Sequence, residues 1–146
     1  MDDLLLEYRE ILAEYETAVT ELTMNMKPTD GIFGLGKHPG DAACHEIMDK
    51  KIQTLCDRVA DEQEKSEEAA VLSEAILQQE SQWTGPEFAR LMLIAIQRHT
   101  LKLIPMLPEE KRSELSAWYH RQYPRRKKLP VQFQIDKALR ENGSSF

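Results

Sequence analysis

The stretch TGPEFARLMLIAIQRHTLKLI, residues 84–104, decides how this chain is read. Its opening, Thr84, Gly85, Pro86 and Glu87, has the order of a helix start: threonine as N-cap, proline in the first turn, and glutamate three residues on to close a capping box. The apolar residues that follow fall on nearly every side of a 3.6-residue wheel, as on a helix buried among several neighbours. The stretch is therefore expected to be one central helix, ended by Pro105, around which the other elements pack.

N-terminal to it, apolar periodicity predicts two or three more helices. From Leu4 to about Met26, Leu4, Tyr8, Ile11, Tyr15, Ala18 and Leu22 alternate steps of four and three, with Leu5, Leu12, Val19 and Met26 as a parallel row. That stripe is wider than a single packing seam needs. From about Asp41 to about Gln63, Cys44, Ile47, Met48, Ile52, Leu55, Cys56 and Val59 share a face, with Asp41 suited to cap the first turn. The polar segment around Ser66 permits a break, so residues 41–82 read either as two helices or as one bent helix.

C-terminal to it, Pro108, Glu109 and Glu110 open a helix on which Leu115, Trp118, Tyr119 and Gln122 share a face. Residues 131–142 fit a strand in VQFQI and a helix in the spacing of Val131, Ile135, Ala138 and Leu139. The helix is favoured, because a lone strand would have no partner. The expected fold is all-α: an antiparallel helical bundle of four main helices plus one or two short C-terminal helices. Its 146 residues suit a single helical domain, with a glycine-rich loop at about 27–40 and a basic linker at about 124–130.

Composition narrows the function. The acidic start MDDLLLEYRE does not look like a secretory leader, and no later run approaches a membrane span, so a cytoplasmic chain with no membrane partner is expected. Cys44 and Cys56 lie twelve residues apart on one expected helix, roughly 18 Å, too far for a disulfide. Both are expected reduced and largely buried. The net charge of −6 divides unevenly: residues 1–100 carry 20 acids and 9 bases, residues 101–146 carry 5 and 10. Repulsion from the acidic part disfavours nonspecific nucleic-acid binding.

Four constellations carry chemistry. Residues 31–38, Gly-Ile-Phe-Gly-Leu-Gly-Lys-His, match a phosphate-binding loop except at the last position, where histidine replaces the hydroxyl that would hold magnesium; a helix, not a strand, precedes. Nucleotide hydrolysis is set aside on those grounds. His38, Asp41, His45 and Asp49 are spaced three, four and four apart, so an imidazole and two carboxylates share a helical row. With His99 brought in from the central helix they would form a divalent-metal site and activate water for hydrolysis. The structural alternative has Asp41 as cap, His45 bonded to Asp49, and His99 as a core histidine with its own partner.

Cys44 beside His45 is not a nucleophile and base, since adjacent helical residues point about 100° apart. Finally, Arg121, Arg125, Arg126, Lys127 and Lys128, interleaved with Tyr119, His120 and Tyr123, read as an anion-binding run that would grip phosphate or a single strand, or as a solvated linker. No catalytic set is complete, and no cofactor is expected unless it is a divalent metal. The leading expectation is a noncatalytic protein-binding or adaptor module that self-associates through its first helix. The metal-binding bundle or metal-dependent hydrolase, and the anion binder, are the alternatives.

Overall fold

The computed structural model describes residues 2–24, 43–62, 64–123 and 129–141. Among them there are six α-helices and no strand: α1 Asp2–Met24, α2 Ala43–Ala60, α3 Ser66–Gln79, α4 Glu87–Ala95, α5 Glu109–Gln122 and α6 Pro130–Glu141. The all-α reading holds. None of these helices is long and apolar enough to cross a membrane.

On α1, Leu4, Tyr8, Leu12, Tyr15 and Val19 are buried at steps of four and three, forming the seam against α2 and α3. Ile11, Ala18 and Leu22 are half-buried, whereas Leu6 and Met24 face solvent. α2 packs through His45, Met48, Ile52, Leu55, Cys56 and Val59. This face is turned from the expected one: Ile47 is 53% exposed, and His45 takes the buried position. The reason is periodicity. Positions 45, 48, 52, 55, 56 and 59 hold one helical stripe, and the imidazole is kept there by a polar partner described below. α2 and α3 are separate helices, divided by a turn in which Glu62 N–H donates to Val59 O and Lys65 N–H to Glu62 O.

The central stretch departs most from expectation. α4 lasts only nine residues, and Ile96–Lys102 then winds as a 3-10 helix, followed by a short 3-10 turn at Ile104–Met106. Local chemistry opposes continued α-winding. Arg98 Nη1 donates to Ala95 O (3.0 Å) and Thr100 Oγ1 to Gln97 O (2.7 Å), competing for carbonyls that an α-helix would give to amides four residues on. Pro105 adds to this from the far end: it has no N–H for Leu101 O, and its ring disfavours α geometry at Ile104. At about 2.0 Å per residue instead of 1.5 Å, the seven-residue segment reaches roughly 14 Å instead of 10. The segment is nevertheless central, packing against α2, α3, α4 and α6 and burying Ile96, Gln97, His99 and Thr100.

The start of α4 also differs. Pro86 is the N-cap residue, with no side-chain cap bond, so Thr84 and Glu87 do not form the capping box. The turn instead closes on Trp83, whose indole N–H donates to Pro86 O (3.0 Å). Gly85 lies so close beneath the ring that a Cβ there would stand 2.5 Å from Trp83 Cζ2. At the other end of the chain, residues 130–141 are the expected helix. Its start has a local cause: Pro130 occupies the first helical position, and Gln132 Oε1 accepts from Leu129 N–H (2.9 Å), the reciprocal half of a capping box.

Candidate functional site

Where α3 ends, the 3-10 turn Glu80–Gln82 carries the buried row of Ser73, Ile76 and Leu77 on to Glu80, so a carboxylate is buried on the face meant for the core. A buried charge must be paired. Glu80 Oε2 accepts from the Tyr123 hydroxyl (2.5 Å) and Oε1 from Arg90, whose Nε also donates to both Glu87 oxygens (3.0 and 2.9 Å). Burial, then Glu80, pushes the Tyr123 hydroxyl above its ordinary pKa, so it stays a donor. The hydrogen bonds from Arg90 draw exposed Glu87 below the usual carboxylate range.

These groups floor a cleft of about 440 Å³ between the ends of α3, α4, α5 and α6. Leu91, Ile94 and Leu129 supply its apolar wall and Gln122 and Gln132 its neutral polar groups. Behind the floor, Tyr119 packs against Tyr123 with centroids 4.6 Å apart and the rings tilted by 55°, and its hydroxyl donates to Gln97 Oε1 (2.7 Å) on the 3-10 segment. Gln97 is fully buried.

The residues expected to share a metal are divided between two settings. His45 lies against α1, where the Tyr15 hydroxyl bonds its Nδ1 (2.7 Å) and Phe88 meets its ring edge-on at 5.8 Å. The expected His45–Asp49 bond is not formed, because α2 turns Asp49 toward the 3-10 segment. There His99 Nε2–H donates to Asp49 Oδ1 (3.0 Å) and Arg98 Nη2 to Oδ2 (2.7 Å). Burial works against the charge on Asp49, yet Arg98 and His99 together hold its carboxyl below the ordinary range; burial also lowers the pKa of His99. A cation reaching Asp49 would have to displace Arg98. Asp41 and His38 lie outside the described residues, and among the described residues no three His, Cys, Asp or Glu side chains stand where they would hold a metal ion.

Of the anion-binding run, Arg121 is exposed on α5, and Arg125, Arg126, Lys127 and Lys128 lie outside the described residues, as does the glycine-rich stretch at 31–38. Tyr119 and Tyr123 are buried, so their rings are spent on the core and not presented for stacking. Both cysteines are free; Cys56 is buried, which pushes its thiol up to about 12, and Cys44 is half-buried. The Glu80–Tyr123–Arg90 network was missed in the sequence. One signal pointed to it: Glu80 continues the row of Ile76 and Leu77. No family model matches the chain, and neither the curated proteins nor the solved structures yield a significant match.

Proposed function

We propose that this chain is a noncatalytic protein-binding module, an antiparallel bundle of four main helices with shorter C-terminal helices, whose docking site is the cleft between α4 and α6. One observation carries the reading: Leu91 (45% exposed) and Leu129 (39%) stand open to solvent on the walls of a cleft whose ionic floor is already closed on itself. Phe133, 46% exposed, follows Leu129 by one turn of α6 and extends the apolar lip. Large apolar side chains gathered at a concave site mark recognition surfaces, because covering them is favourable by about 25 cal/mol per Å². The floor favours recognition over proton transfer. Glu80 and Glu87 both pair with Arg90 and Glu80 also accepts from Tyr123, so an incoming segment meets a shaped apolar slot whose floor charges already have partners, with a net charge of −1 among the three.

The occupant that fits is a helix of another protein inserting an apolar side chain between Leu91 and Leu129, with its polar flank on exposed Gln122. A photo-crosslinking residue placed at Leu91, or separately at Phe133, tests this in cells producing the chain. The expected outcome is one discrete adduct shared by both positions and missing when the crosslinker replaces Leu6, a more exposed leucine on α1. Adducts indistinguishable from those at Leu6, or none, would overturn the reading.

A further inference from the structure

A second surface, separate from that cleft, lies along α1 and α2. The two helices run antiparallel, since Glu7 pairs with Arg58, Glu14 with Lys51 (2.7 Å), and Tyr15 with His45. Between them runs a groove of about 350 Å³, with Glu7, Glu10 and Glu14 along the α1 side and Lys50, Lys51 and Arg58 along the α2 side. Towards the C-terminal half of α1 it continues into a smaller apolar hollow lined by Ile11, Ala18 and Ile47. The face therefore has an acidic edge, a basic edge and apolar ground at one end, with Ile47 53% exposed. Glu10 and Lys50 are exposed and enter no ion pair among the described residues.

The geometry points to a second copy of this chain as the partner of the α1–α2 face, docked about a two-fold axis that runs parallel to the helices and between them. The charges select this axis. Rotation about it sets α1 of one copy over α2 of the other at unchanged height, so each acidic edge meets the basic edge of the other copy, a contact made twice in the dimer. An axis across the helices would set α1 on α1 and acid on acid. Because Glu14 sits level with Lys51 within one chain, it faces the Lys50 and Lys51 region of the other copy, and Glu7 faces the Arg58 region. The internal ion pairs are widened into networks and need not break.

Size and net charge fit a reversible dimer. α2 has 18 residues, roughly 27 Å, and two adjacent helices present a face roughly 20 Å wide, so the pair would bury ~1,100 Å² in total. That is the low end for a specific interface, and a dissociation constant in the micromolar range is expected. The net charge of −6 on each copy repels at long range, but screening at physiological salt confines that to about 8 Å, whereas the edge contacts act within it.

The test is sedimentation equilibrium of the full chain in 0.15 M NaCl, from 1 to 300 µM, with native mass spectrometry of mixtures. A monomer–dimer equilibrium is expected, and a strict monomer throughout the range would overturn the proposal. Ile47→Glu should raise the dissociation constant at least tenfold while leaving the circular dichroism spectrum unchanged; Leu91→Glu, on the other cleft, should not move it. The reverse pattern places self-association on the wrong face and overturns the assignment. Charge reversal decides the axis. Glu14→Lys and Lys50→Glu should each weaken their own dimer, and mixing the two should produce heterodimer in excess, since both of its edge contacts are again opposite in sign. A mixture without that excess overturns the parallel axis.

Discussion

At the scale of single residues, the informative groups are polar side chains placed where apolar ones are expected. Tyr123 donates to a carboxylate that is only 6% exposed, and removing the hydroxyl leaves Glu80 Oε2 without that donor. Tyr123→Phe should therefore cost about 1–3 kcal/mol, read from urea unfolding, although it keeps the ring and its packing. A loss within about 0.5 kcal/mol would show that Glu80 does not depend on it. His99 gives a pH dependence with a definite sign. Burial holds its pKa below the ordinary histidine value, so below about pH 6.5 the unfolded chain binds the proton more readily than the folded one. The contribution is present at neutral pH and is lost as pH falls from about 6.5 toward the folded-state pKa. The urea midpoint should drop over that window, and drop less in His99→Gln; parallel profiles for the two proteins would contradict the assignment.

At the scale of elements, most helices were legible because their causes are local. α1 and α2 follow from spacing, α5 from Pro108 and the acids after it, and α6 from the spacing of Val131, Ile135, Ala138 and Leu139. The central stretch was misread as a single α-helix because an all-round apolar pattern reports burial and not winding. Thr100, Arg98 and Pro105 were the residues that decided its geometry, and each acts on carbonyls that an apolar wheel ignores. The 3-10 segment is tied to α5 by the Tyr119–Gln97 hydrogen bond, 2.7 Å long and fully buried. Tyr119→Phe alone should destabilise by about 1–2 kcal/mol, whereas Tyr119→Phe with Gln97→Leu should recover most of it, because no buried acceptor is then left unpaired. Additive losses in the double-mutant cycle would mean that the pair does not act as a unit.

At the scale of the whole molecule, the core and the surface answer to different terms. One apolar cluster reaches from Leu4 on α1 to Leu139 on α6, so stability rests on burial, and the ion pairs spanning α1 and α2 lie in water on its outside. Exposed pairs of this kind contribute about 0–1 kcal/mol. Glu14→Gln should accordingly shift the unfolding free energy by less than about 1 kcal/mol in calorimetry or urea titration. A larger loss would mean that the charged edges hold the monomer together. Local spacing was enough for the helical class, the positions of most helices, the buried stripe of α1 and the asymmetry of charge, because each depends on residues a few positions apart. Tertiary structure alone decided which polar groups meet: Asp49 with His99 and not His45, His45 with Tyr15, and Glu80 with Tyr123 and Arg90. Those pairings depend on the rotation and height of one helix against another, and periodicity along a single chain carries no information about either.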